Sequence, residues 1–129
     1  MPAVTTEVTG TTLYEAADFS LPLTVVDENG DAVDITGATF ACSFRWQYAD
    51  ADAEIELTSG SGIAITTAAS GIYTLTITDA QTGAVTFPAA LTGLGGSVFS
   101  IFFDVMMTLG GVVTQVHRGT AQFYRSATR

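Results

Sequence analysis

The sequence predicts an all-β sandwich of short antiparallel strands, about seven to nine of them. Three observations carry that expectation. Turn signals punctuate the chain at Asp27-Glu28-Asn29-Gly30-Asp31, Ser59-Gly60-Ser61-Gly62 and Leu109-Gly110-Gly111. The runs between them are rich in Val, Ile, Phe and Thr, residues that suit a pleated, half-buried surface. Within these runs apolar residues recur at every second position, the period of a strand with one face in a core. A closed barrel is the alternative architecture.

Residues 1–17 are Thr-rich without a clean period and read as an extended arm, with a short strand at Thr11 to Tyr14. Phe19, Leu21, Leu23 and Val25 then alternate with Ser20, Pro22 and Thr24. Pro22 cannot donate to a ladder, which places this strand at a sheet edge. Asn29-Gly30 supplies positive φ for the next turn, and Val33 and Ile35 lead to a break at Thr36-Gly37. Phe40, Cys42, Phe44 and Trp46 share one face of the following strand. After a polar loop at 49–53, Ile55 and Leu57 resume a strand, Ile63 and Ile65 form a short one, and Tyr73, Leu75 and Ile77 alternate with threonines. Thr78 or Asp79 caps one helical turn that Gly83 stops. Residues 84–97 are a loose Ala/Gly/Pro segment. Phe99, Ile101, Phe103 and Val105 form the most apolar strand. Phe102 and Met106 on its other face imply a central strand or one covered on both sides. Gly110-Gly111 turns into Val112 to His117, and Ala121 and Phe123 mark a last strand. The expected organisation is an arm at 1–17, one sandwich domain at 18–124 and a tail at 125–129.

A chain of 129 residues is long enough to bury a core in a single domain. Charged residues make up 13% of it, about half the usual share, and Thr, Ala, Gly and Ser take their place. Such a surface docks against other protein with few long charged side chains to desolvate or freeze. The net charge is −9, from thirteen acids against Arg45, Arg118, Arg125 and Arg129. A basic stripe for releasing counterions is missing, so nucleic acid is excluded as a partner, and anionic membrane surfaces are disfavoured. The longest apolar stretch, within Val98 to Met107, is interrupted by Ser100 and Asp104 and is too short for a membrane helix. The opening Met-Pro-Ala-Val-Thr-Thr-Glu lacks a basic-then-apolar leader, so a soluble product of a cytoplasm is expected.

Candidate chemistry is sparse. The acids around Asp27 to Asp34 offer oxygen ligands, but Ala32 and Thr39 stand where a calcium loop starting at Asp27 needs Gly and Glu. That stretch reads as a hairpin turn, with adventitious Ca²⁺ as the other reading. Cys42 is alone, so an intrachain disulfide is excluded, and its alternation with aromatics makes it a small core residue. His117 reads as an exposed strand residue on the polar side of Val116; pairing with Cys42 as base and nucleophile is the remote alternative. Asp18, Asp50, Asp52, Glu54 and Glu56 lack the aromatic-lined cleft that a glycosidase pair requires. Catalytic, metal and cofactor-binding residues are therefore expected to be absent. Phe102, Met106 and Met107 add apolar surface beyond the core, to be covered by the 84–97 segment or, failing that, by a partner subunit.

In order along the chain, Asp18-Phe19-Ser20-Leu21-Pro22-Leu23-Thr24-Val25, Asp27-Glu28-Asn29-Gly30, Val33-Asp34-Ile35-Thr36-Gly37-Ala38-Thr39, Glu56 to Ile63, Gly71 to Ile77, Ala80-Gln81-Thr82, Gly110 to Thr114 and Gly119 to Phe123 form a recurring pattern. It resembles the N-terminal immunoglobulin-like domain of phage baseplate upper proteins over residues 18–124, with 83–97 as an insertion. The resemblance implies an immunoglobulin-like sandwich and a non-enzymatic structural role in a tailed-phage virion made in a bacterial cytoplasm. It further implies a place in the tail or baseplate, many copies in a symmetric assembly, and other phage structural proteins as partners. A capsid decoration protein is the alternative, and a receptor- or carbohydrate-binding module using Tyr14, Tyr48 and Tyr124 comes third. The expected subunit-contact residues are Thr5, Val8, Tyr14, Phe102, Met106, Met107, Tyr124 and Arg125.

Overall fold

A computed structural model describes residues 3–85 and 98–125. Among these residues there are eight strands: β1 (Thr6–Tyr14), β2 (Phe19–Thr24), β3 (Thr39–Arg45), β4 (Ile55–Ser59), β5 (Gly62–Thr67), β6 (Ile72–Ile77), β7 (Val98–Leu109) and β8 (Val112–Tyr124). One short helix, α1 (Asp79–Gly83), follows β6. Hydrogen bonds connect the strands in the order β1-β8-β7-β3-β4-β5-β6-β2.

This sheet folds back on itself into two layers. Phe40 of β3 stacks on Tyr73 of β6 with ring centroids 4.3 Å apart, although β4 and β5 separate them in the hydrogen-bonding order. The fold line is the β4–β5 junction, where the two strands share only Thr58↔Gly62 and Ser59↔Ile63. Gly60 and Gly62 take φ of 83° and 100° there, a region that side-chain-bearing residues avoid. A Cβ on Gly62 would also meet Leu57 Cδ2 at 2.5 Å. One layer is β1-β8-β7-β3-β4 and the other β5-β6-β2. This connectivity is that of an immunoglobulin-like sandwich carrying an extra strand beside its third, as the sequence leads one to expect. It stops short of a closed barrel, since β1 and β2 end the order unpaired with each other; among the described residues, Ala3 and Val4, ahead of β1, reach Asp27 and Val26 beyond β2.

The core lies between the layers and is filled by the inward half of each alternation. Phe40, Cys42 and Phe44 of β3, Tyr73, Leu75 and Ile77 of β6, and Phe99, Ile101, Phe103 and Val105 of β7 are all buried. Each buried Val, Leu, Ile or Phe side chain among them contributes about 1.5–3 kcal/mol of transfer free energy. Trp46 is half-buried at the rim, edge-on to Phe99 with centroids 6.2 Å apart. Pro22 sits on β2, a terminal strand as expected. Thr78 and Gln81 form a reciprocal cap at α1: Gln81 N–H donates to Thr78 Oγ1 at 3.2 Å, and Thr78 N–H donates to Gln81 Oε1 at 2.9 Å.

Several details differ from the sequence reading. Much of the arm is itself a sheet strand: β1 runs parallel to β8, from Thr6↔His117 to Tyr14↔Tyr124. Gly10, at φ 75°, sits where the register shifts between Val8 and Thr11, which is why no clean period shows. Val112 to Tyr124 is one strand rather than two. Gly119 within it is a packing residue, because a Cβ would collide with Val8 O and the Phe103 ring. The proposed covering of Phe102 and Met106 by residues 84–97 falls mostly outside the described residues.

Candidate interaction surface

The outward face of the five-stranded layer follows from register. Even-numbered residues of β7 point away from the core, and each has outward neighbours at the same level. Val98 lies level with Tyr124 and Tyr14, Phe102 with Thr120 and Arg45, Asp104 with Arg118, Ser43 and Glu7, and Met106 with Gln115 and Ala41. Tyr48, from the loop after β3, is laid over this face. Its ring is 5.0 Å from Phe102, and the Arg118 guanidinium lies 5.3 Å above it. Arg118 Nε also pairs with Glu7 Oε1 at 3.3 Å, an exposed bridge of small net worth. Tyr14 and Tyr124 stack at 5.3 Å with their planes 23° apart.

Of the eight exposed large hydrophobic side chains among the described residues, six belong to this face: Tyr14, Tyr48, Val98, Met106, Val113 and Tyr124. The structure thus brings together Tyr14, Phe102, Met106 and Tyr124 of the expected contact residues. The others lie elsewhere. Met107 is a correction: at 3% exposure it belongs to the core, because odd positions of β7 point inward. Val8 packs partly against the core. Thr5 fastens the approach to β1 by donating from Oγ1 to Gln115 O at 2.7 Å, and Arg125 is half-buried at the end of β8. Tyr48, Val98, Val113 and Arg118 were missing from the expected set. The even parity of β7 was the readable signal for Val98.

The second layer is different in character. Its outward residues Ser20, Pro22, Thr24, Ala64, Thr74 and Thr76 are uncharged. An open groove of about 460 Å³ beside β5 is lined by Gly60, Ser61, Gly62, Ile63, Ala64, Thr76, Thr78 and Gln81, with no titratable side chain among them.

His117 is the clearest departure from the sequence reading. It is buried, at 2% exposure. β7 and β8 shift register so that Val105 faces His117 while Met106 faces Gln115. Val116 is the extra residue of this bulge, and it and His117 both turn inward. His117 Nε2 donates to Thr24 O at 3.0 Å, and Tyr73 Oη donates to Nδ1 at 2.5 Å. One imidazole therefore ties β8 to both β2 and β6 across the core. Burial holds its pKa down to about 4, against the opposing pull of the Thr24 carbonyl, so the ring is neutral at pH 7. Burial likewise pushes the Cys42 thiol up. Cys42 and His117 are both level with Val105, which lies between them; two inter-strand spacings, about 10 Å, rule out direct contact in this arrangement. At the first turn, Asp27 Oδ1 accepts from the amides of Asn29 at 2.9 Å and Asp31 at 3.1 Å, so that carboxylate works as a turn anchor.

No family model matches the chain, and no curated protein matches it. Among solved structures it is similar to the N-terminal domain of phage TP901-1 ORF48, with 14% identity over 95% of each chain and a TM-score of 0.46. A superposition this loose carries no argument about what the present chain does.

Proposed function

We propose that this chain is a non-enzymatic structural component of a tailed-phage particle, an immunoglobulin-like module that joins neighbouring subunits in the tail or baseplate. The observation that carries an assembly role is the outward face of the five-stranded layer. Rings, a methionine and two arginines are gathered there, with hydroxyl and amide side chains between them, the composition of a protein–protein interface. The placement in a phage rests on the ordered run of turns and strands in residues 18–124 that resembles baseplate upper proteins. On this reading the partners are other virion proteins, and many copies act in a symmetric assembly.

Antibody raised against the chain and applied to intact particles tests the reading. Labelling at the tail tip supports it. Labelling of the shell would move the chain to the capsid, as a decoration protein, and particles without label would remove it from the virion altogether.

A further inference from the structure

We propose that the outward face of the five-stranded layer docks against the same face of a second copy of this chain, forming a two-fold dimer. The inference deepens the assembly reading by naming one partner. Charge points to that partner. Glu7, Glu56 and Asp104 on this face stand against Arg45 and Arg118, which leaves it nearly neutral. Most of the other acids, among them Asp18, Asp27, Glu28, Asp31, Asp34 and Asp79, lie outside its strands on a chain of net charge −9. A contact made through the acidic turns would set like charges opposite one another, and the uncharged outward face of the other layer, built of Ser20, Pro22, Thr24, Ala64, Thr74 and Thr76, offers no rings to bury. A basic partner would be drawn to the acidic remainder and away from this face. A second acidic copy meets little net repulsion here, and a face holding both signs can be self-complementary, as a two-fold contact requires.

Size points the same way. The five strands contain 9, 13, 12, 7 and 5 residues. At ~3.3 Å per residue and ~4.8 Å between strands they span on the order of 700 Å². A stable interface takes about 800 Å² from each partner, so this face alone comes close to sufficing. Met106 is 36% exposed within it.

Sedimentation velocity on the full chain, from about 1 to about 100 µM, reads the outcome. A reversible monomer–dimer equilibrium is expected. Met106→Asp should weaken it at least ~10-fold, while Ala64→Asp, the same added charge on the outward face of the other layer, leaves it unchanged. Added salt should tighten the dimer, because it screens the residual repulsion between two acidic chains. Circular dichroism melts establish that both variants are folded. A chain that stays monomeric throughout the range overturns the proposal, and so does a dimer that Met106→Asp leaves intact or that Ala64→Asp weakens equally. Any of these results leaves the particle-labelling test untouched, so the two ideas fail separately.

Discussion

Acidification acts on the seam between the two layers through His117. The folded chain holds this imidazole neutral down to about pH 4, whereas in the unfolded chain it protonates near its ordinary 6.5. Between those values the unfolded state binds a proton that the folded state refuses, so stability rises with pH across that window. The contribution is complete above about pH 6.5, drains away as the pH falls, and is exhausted near pH 4. Its size is the separation of the two pKa values at ~1.4 kcal/mol each, up to about 3 kcal/mol, or on the order of 10 °C in Tm for a domain of this length. Carboxylates also titrate at the acid end, so a difference measurement is needed. Urea unfolding followed by Trp46 fluorescence, on the parent and on His117→Gln at pH 7 and pH 4.5, supplies it. Gln can still donate to Thr24 O but does not titrate. The stability advantage of the parent should shrink by about 2 kcal/mol or more between the two pH values. Identical pH dependence in both chains, or a His117 ring that titrates near 6.5 by NMR, would refute the reasoning.

Other expectations follow from the same packing. Tyr73→Phe removes the donor to His117 Nδ1 and should cost about 1–3 kcal/mol in urea unfolding, the penalty of a buried acceptor left unpaired. Thr11→Val does the reverse, because Thr11 Oγ1 is buried without a hydrogen-bond partner among the described residues; the urea midpoint should hold or rise, by up to about 1–2 kcal/mol in stability. Gly119→Ala drives a Cβ into Val8 O and should loosen β1 from β8 at a cost of about 1–3 kcal/mol, seen as faster amide exchange along Thr6–Tyr14.

The core was legible where strands alternate strictly. The odd residues Phe99 to Val105, the even residues Phe40 to Phe44, and Tyr73, Leu75 and Ile77 all point inward as their period demands. The reading failed at irregularities that depend on a partner strand. Counting outward from Val116 places His117 in solvent, and only the bulge against β7 turns it inside. The parallel pairing of β1 with β8 leaves no local mark, because Gly10 interrupts the pattern that would have announced it. The candidate face was half legible. Parity along β7 puts Phe102 and Met106 outside, and the same parity already places Met107 inside. Gathering Tyr14, Tyr124 and Arg118 around them required the registers of two further strands, which individual sequence segments do not encode.

The central claim is that the chain works as a stoichiometric part of a particle. Quantitative mass spectrometry of density-gradient-purified phage, measured against the major tail and capsid proteins, tests it most directly. The account predicts peptides of this chain in the particle band, at a fixed copy number that matches the symmetry of one substructure. Recovery only from the soluble lysate, with none in the band, would contradict it.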